Sequence, residues 1–457
     1  MKPTVVSLFS GCGGLDYGFH QEGFDLVYAC DHDPHAVQIY RNNIDSNSYV
    51  RDVTSAQFHD DLDNIGSCDV VLGGFPCQGF SKAGPKKHGD SRNLLYLEMK
   101  RAVEKLKPRI FVAENVDGLS QNFGGQFVSQ ITKDFESLGY KVSTKILEAA
   151  HYGVPQHRRR IIFVGTMGAD DKSEYFWPQR SHHVPARNGE KNLQVTGDLF
   201  GENGSQQALS PAMTIREAIA DIQDIELNIP DHVVTNAWNT RTQKVLSKIG
   251  EGQKLCNVRF SPTSVYTWQI PEVYGPVDGN DVEVLETIGK NRRHKRYGNI
   301  PNGNPLPIAI IEELSGLNDL EDRLNSLVER GYLKHKDDGY DLKGAMFCSG
   351  LYKRPLWDQP SPTVLTVFDN PRYFIHPSKN RPFSVRECAR IQSFPDNFLF
   401  SSSSDSPNIA GDYRLIGNAV PPSLGRHLAW SVKKFLDGKK GHTDENADTG
   451  LDCRRTA

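Results

Sequence analysis

The chain has no cysteine pair at C-x-x-C spacing and no Cys/His grouping at zinc-ligand spacing, although it holds 8 cysteines in 457 residues. Scattered at positions 12, 30, 68, 77, 256, 348, 388 and 453, they read as reduced thiols rather than a disulfide framework or a metal site. A signal segment is also lacking. Met1 runs into Lys2-Pro3 and the apolar stretch Thr4–Phe9, which is too short for a secretory core and reads as a first strand. No apolar run approaches the length that spans a bilayer. The net charge of −3 excludes a globally basic surface, so contact with phosphate has to come from local clusters. Internal repeats are absent. What remains is a cytoplasmic protein of two or three domains with ample apolar content for real cores.

The first third alternates short apolar runs with helical patterns. Strands are expected at Thr4–Phe9, Asp25–Cys30, Cys68–Gly73, Arg109–Glu114, Lys141–Ala149 and Arg160–Gly165, with helices at Pro34–Asn43 and Leu94–Lys107. Alternation of this kind with fully apolar strands predicts an α/β fold with a doubly wound, mostly parallel sheet. After about residue 170 the alternation is lost, and residues 171–375 read as a second, smaller, irregular and partly β domain. Order returns with a helix over 384–392 and a closing helix near Ser423–Leu436, entered from Pro421-Pro422. The expected division is 1–170 with 376–437, then 171–375, with a disordered polar tail at 438–457.

Four short motifs and two aspartates carry chemistry. Phe9-Ser-Gly-Cys-Gly-Gly14 follows the first strand and precedes a helix, a place where glycines let a ligand approach the backbone. About twenty residues on, Asp31 ends the second strand and can accept from both hydroxyls of a ribose. The pair fits dinucleotide binding or S-adenosylmethionine binding. The absence of G-x-G-x-x-G and of a basic cradle for pyrophosphate favours the latter. Asp52 can read an adenine edge or serve as a turn aspartate. Gly73-Gly-Phe-Pro-Cys-Gln-Gly-Phe-Ser81 sets Cys77 in a glycine-rich turn at a strand end, where open α/β sheets place their chemistry. Arg109-Ile-Phe-Val-Ala-Glu-Asn-Val116 closes an apolar strand on Glu114, whose desolvation should favour its neutral form. In Gln156-His-Arg-Arg-Arg160, alternation puts Gln156, Arg158 and Arg160 on one face of an extended segment. Three donors there need anionic or carboxylate partners.

With Arg381-Pro-Phe-Ser-Val-Arg-Glu-Cys-Ala-Arg-Ile-Gln-Ser-Phe-Pro395 and Gly417-Asn-Ala-Val420 near the C-terminus, these motifs resemble the cytosine-5 DNA methyltransferase family in order and spacing. The resemblance covers both ends of the chain. Residues 171–375 match only at Trp357-Asp-Gln-Pro-Ser-Pro-Thr-Val-Leu365, which is similar to the end of the family's target-recognition domain.

That resemblance implies S-adenosylmethionine as methyl donor, S-adenosylhomocysteine as product, no metal, and a cytosine swung out of duplex DNA. It implies Cys77 as nucleophile at carbon 6, Glu114 at ring nitrogen 3, and Arg160 with Arg158 at the pyrimidine carbonyl. Cofactor contacts carried over by motif are Phe9, Gly11, Gly13, Asp31, Asp52, Pro76, Leu95 and Asn418. Asn418 requires the final helix to fold back onto the N-terminal domain. Gln78–Asn93 suits a closing lid, with Gln78, Ser81, Lys82 and Arg92 meeting DNA. Arg292, Arg293 and Arg296 of the basic run Lys290–Arg296, and Thr363, are further DNA candidates. The architecture resembles a bacterial or phage modification enzyme, acting as a monomer on double-stranded DNA and partnered genetically with a restriction endonuclease. A tRNA cytosine methyltransferase on the same core, and a catalytically silent DNA-binding homologue, are the alternatives; a nicotinamide-dependent dehydrogenase is a distant third.

Overall fold

A computed structural model describes residues 1–76, 95–121, 125–168, 175–184, 209–234, 238–257, 261–300, 303–343, 350–370, 372–401 and 407–438. The chain forms two compact units. The first is Met1–Val233 with Asp358–Val367 and Val385–Ala457; the second is Val234–Trp357 with Phe368–Ser384.

The first unit is built on β1 (Thr4–Leu8), α1 (Gly14–Gln21), β2 (Asp25–Asp31), α2 (Pro34–Asn43), β3 (Ser48–Val50), α3 (Ala56–Ile65), β4 (Val70–Gly73), α4 (Tyr96–Leu106), β5 (Ile110–Val116), α5 (Gly118–Gln121), α6 (Gln126–Glu136), β6 (Tyr140–Glu148) and β7 (Arg159–Met167). The strands make one seven-stranded sheet in the order β3-β2-β1-β4-β5-β7-β6. Strands β1 to β5 run parallel, while β7 is antiparallel to both β5 and β6. Alternate side chains feed two cores, as the period of a strand requires. Val5, Leu26, Val70, Leu72, Val112 and Val164 meet α1 and the C-terminal helix on one face. Val6, Leu8, Val71, Phe111, Ala113 and Phe163 meet α3, α4 and α6 on the other. The sheet is therefore doubly wound, and its central strands are largely apolar because both faces are covered, whereas the edge strand β6 is mostly polar.

The first unit continues past residue 170 to Val233, beyond the boundary that composition suggested. The paired dipeptides β8 (His182–His183) and β9 (Ser210–Pro211) and helix α7 (Ile215–Ile219) belong to it. Ile215, Ile219 and Ile222 are buried, and the Asp231 carboxylate meets Arg386 at 2.9 Å with both side chains fully enclosed. Composition changes there before packing does.

The second unit contains α8 (Thr240–Leu246), β10 (Lys254–Leu255), β11 (Ser264–Val265), α9 (Pro271–Tyr274), α10 (Gly279–Asn291), α11 (Ile308–Ser315), α12 (Glu321–Arg330), β12 (Leu333–Lys336) and β13 (Gly339–Leu342). Two small sheets are present, but helices dominate. They pack around Tyr266, Trp268, Val284, Ile288, Leu324, Tyr332 and Leu342. Asp278 caps α10 by accepting from Asp281 N at 2.7 Å, and the Asp281 side chain accepts from Asp278 N in return.

The chain then returns to the first unit with α13 (Val385–Ile391), α14 (Ile409–Asn418) and α15 (Pro422–Leu436). Helix α15 lies against α1 so closely that a Cβ on Gly18 would come within 2.3 Å of Arg426 N, and one on Gly425 within 2.8 Å of Leu15 O. Leu424, Leu428 and Val432 complete the sheet's first core. No helix among the described residues is long and apolar enough to cross a membrane. The tail assigned to disorder lies outside the described residues beyond position 438.

Candidate active site

The carboxyl ends of β1, β2, β4 and β5 form one edge of the sheet. Because β7 is reversed, its beginning reaches the same edge, where Arg160 stands opposite Val116. One edge thus gathers residues from five strands.

At β1 the chain turns sharply. Phe9 has φ 55°, Gly11 φ 55° and Gly13 φ 90°; for Phe9 this left-handed conformation is strained. Gly11 N donates to Asp31 Oδ2 at 2.9 Å and Asp33 N to Asp31 Oδ1 at 2.9 Å. The Asp31 carboxylate is thereby fixed at the end of β2, against the loop, with further lone pairs to offer. His32 Nδ1 lies 3.2 Å from Asp31 Oδ1, and that hydrogen bond raises the His32 pKa. A Cβ on Gly14 would meet Val420 O at 2.2 Å, so the C-terminal segment next to Asn418 seats directly on the glycine loop. Asn418, the last residue of α14, is exposed and lines a cavity of ≈ 510 Å3 with Thr366, Val367, Asn408, Gly411 and Arg414. These groups suit a nucleoside cofactor: an oriented carboxylate for ribose hydroxyls, a glycine-rich loop whose backbone is open to close approach, and an amide on the C-terminal side.

Asp52 is exposed, and its Oδ1 accepts from Thr54 N at 2.9 Å and Thr54 Oγ1 at 2.7 Å, hydrogen bonds that lower its pKa. It acts here as a turn aspartate. Leu95 precedes α4 and packs against the sheet's second core.

The catalytic edge is held from β5. Asn115 Nδ2 donates to Phe75 O at 3.0 Å, which ties the chain just before Pro76 to the strand carrying Glu114. A Cβ on Gly74 would lie 3.5 Å from Glu114 Oε2. Glu114 pairs with Arg160 at 2.6 Å (Oε1 to Nε), with the side chains 11% and 12% exposed. Cys77 follows Pro76 in sequence and lies outside the described residues, as do Gln78, Ser81, Lys82 and Arg92 and the whole expected lid. Described cysteines are buried, and burial pushes the Cys30 and Cys68 thiols up to about 12, which leaves them unreactive.

Three expected roles change. Arg158 is buried, and its guanidinium donates to Val364 O at 3.2 Å and Gly417 O at 2.7 Å; it braces backbone rather than facing a substrate. Arg292 forms a buried pair with Asp341, Nε to Oδ1 2.6 Å and Nη2 to Oδ2 2.9 Å, so it is part of the second unit's core and not a phosphate contact. Arg293 and Arg296 are exposed, and the Arg296 guanidinium sits 4.5 Å from the Tyr297 ring centroid. Thr363 Oγ1 donates to His157 O at 2.5 Å, which anchors its own segment. Sequence reasoning also overlooked Gln392, whose fully buried amide directly follows helix α13; the helix itself mixes charged and apolar residues, so the sequence offered no signal that this side chain turns inward.

An open, mostly parallel α/β sheet with this loop, acid and acid–arginine pair on one edge defines a Rossmann-like methyltransferase. The same fold is seen in a prophage-encoded E. coli protein described as a DNA modification methyltransferase, with TM-score 0.50, 21% identity and coverage of 95% of this chain and 100% of that one. The family model for C-5 cytosine-specific DNA methylase matches residues 3–434. Among curated relatives, Type II methyltransferase M.AgeI of Thalassovita gelatinovora is 33% identical over 94% of this chain and 99% of its own. M.NgoFVII of Neisseria gonorrhoeae is 30% identical over 94% and 86%. The chain belongs to the C-5 cytosine-specific DNA methylase family and is a DNA (cytosine-5-)-methyltransferase.

Proposed function

We propose that the protein methylates carbon 5 of one cytosine within a short duplex DNA sequence, through a covalent bond from Cys77 to carbon 6. The observation that carries this is the Glu114–Arg160 pair at 2.6 Å, on the sheet edge where the chain reaches Pro76. Ring nitrogen 3 and the carbonyl oxygen at carbon 2 are neighbours on one pyrimidine edge. An acid and an arginine held side by side match that edge.

Carbon 5 of cytosine is a weak nucleophile, so it needs activation. The Cys77 thiolate bonds to carbon 6 while Glu114 protonates or hydrogen-bonds nitrogen 3 and Arg160 holds the carbonyl oxygen. The Phe9–Gly13 loop, Asp31 and Asn418 would hold S-adenosylmethionine, which would supply an electrophilic methyl group to carbon 5 and leave as S-adenosylhomocysteine. Loss of the carbon-5 proton to a base then re-forms the double bond and expels Cys77. A stacked base cannot meet these groups, so the cytosine is extruded, at a cost of about a few kcal/mol. The second unit reads the surrounding sequence.

The relatives named Type II methyltransferases support a role in a restriction-modification system, in which the mark protects DNA from a cognate endonuclease. Duplex DNA bearing 5-fluorocytosine at the target tests the chemistry, because fluorine cannot leave as a proton does. With S-adenosylmethionine present, the wild-type chain should be trapped as a denaturation-resistant adduct and the Cys77→Ser variant should not. Equal trapping of both would remove Cys77 from the mechanism.

A further inference from the structure

The two peptide carbonyls that flank Asn418 are each taken by a buried side chain. Arg158 Nη2 donates to Gly417 O at 2.7 Å, and Gln392 Nε2 donates to Ala419 O at 2.6 Å. The two donors are themselves joined through the short segment that leads into β7. Gln156 Nε2 donates to Gln392 Oε1 and, at 3.1 Å, to Ile391 O. Gln156 Oε1 accepts from Val364 N at 3.0 Å, while Arg158 Nη1 donates to Val364 O at 3.2 Å. Gln156, Arg158 and Gln392 are all 0–1% exposed.

Three buried polar side chains are expensive unless matched. Here the donors are aimed at backbone on both sides of one exposed residue. The cation also suits its position, since Gly417 lies at the C-terminus of α14, where carbonyl dipoles favour positive charge. Gly417 admits the arrangement only as glycine, because a Cβ there would meet Leu365 C at 2.5 Å. The Asn418 side chain is left outside the network, facing the cavity.

We propose that Arg158 and Gln392 are positioning residues that set cofactor affinity by clamping the backbone on either side of Asn418, with Gln156 tying that clamp to the strand that carries Arg160. This rests on the reading of Asn418 as a cofactor contact. Residues 156, 158 and 160 then form one alternating row, its first two members serving the cofactor side and its third the acid–arginine pair.

The test is a double-mutant cycle in the full chain, Gln392→Met against Asn418→Ala, with S-adenosylmethionine affinity measured by calorimetry and KM and kcat measured on duplex DNA. Gln392→Met removes the donor to Ala419 O together with the acceptor for Gln156 Nε2, and should weaken cofactor binding by about three- to ten-fold, the net worth of the hydrogen bond to Ala419 O. At saturating cofactor, kcat should stay within about two-fold of wild type. In the Asn418→Ala background, Gln392→Met should cause no further weakening. Fully multiplicative losses in the double variant, or unchanged affinity in Gln392→Met, would overturn the proposal. If Gln392→Met does not fold, Gln392→Asn, which keeps the amide but falls a methylene short of Ala419 O, runs the same cycle. A wild-type chain that binds no S-adenosylmethionine would instead overturn the functional reading, and the clamp with it.

Discussion

Glu114 and Arg160 meet diagonally across neighbouring antiparallel strands at 2.6 Å, both nearly enclosed. The contact exists because β7 runs against β5. A parallel strand would have put its first residues at the far edge of the sheet. One reversed strand therefore brings a cation to the same place as the carboxyl ends of four parallel ones. Glu114→Gln keeps the shape but removes the charge. It should lower kcat by about 10²-fold or more while S-adenosylmethionine and DNA binding stay within a few-fold, as read by single-turnover methyl transfer and titration. Near-normal turnover would mean the pair is only structural.

The basic cluster divides into two kinds of arginine. Arg292→Ala takes the bidentate partner from the buried Asp341, which keeps Lys334 Nζ at 3.4 Å and Leu342 N at 2.8 Å, and should destabilise that unit by about 3 kcal/mol, seen as a lowered thermal midpoint. Arg293→Ala with Arg296→Ala should leave the midpoint near wild type and reduce the salt slope of DNA binding by about 1 per residue. An unchanged slope would mean those exposed side chains are merely solvated.

Gly14→Ala tests the seating of the C-terminal segment on the glycine loop. The added methyl would lie 2.2 Å from Val420 O, a backbone atom that can yield only by moving the segment beside Asn418. Overpacking of this kind costs about 1–3 kcal/mol. Cofactor affinity should fall together with stability, checked by calorimetry and thermal melting on the same sample.

Asp16 supplies a pH dependence. It is buried with Ser7 Oγ donating to its Oδ1 at 2.9 Å, and burial raises its pKa from 3.8 to about 7. The folded state therefore holds a proton that the unfolded chain has released between those values. The contribution to stability is fully present below about pH 3.8 and is lost as pH rises through about 7. Asp16→Asn should melt above wild type at pH 8, and the difference should shrink or vanish by pH 4. A constant difference across that range would contradict the assignment.

Much of this was legible in the sequence. The central strands of the first unit declare themselves because they are buried on both faces, so Val70–Gly73 and residues 110–113 of β5 are apolar without interruption, and the polar Glu114 and Asn115 stand out at the strand's end. Helix α2 is flagged by Asp33 as cap and Pro34 at its first position. Strand β3, three residues of Ser-Tyr-Val, is too short to show a period. Helix α10 begins with Gly-Asn-Asp and carries β-branched residues, which disguise its helical spacing. At the site, motif and geometry agree on bringing Glu114 to Arg160 and Asp31 to the glycine loop. Arg292 misled because a run of charges reveals nothing about which member turns inward. That depended on Asp341, 49 residues away. Arg158 misled for a similar reason, since its partners are backbone carbonyls contributed by distant segments.

The central claim is that this chain marks cytosine in DNA at carbon 5 within a defined sequence. Base-resolution cytosine conversion sequencing of DNA from a methylation-deficient bacterium expressing it is the most direct measurement. Protected cytosines confined to one short recurring sequence, absent when Cys77→Ser is expressed instead, are the predicted result. Uniform conversion, with the wild-type protein confirmed present and folded, would contradict it.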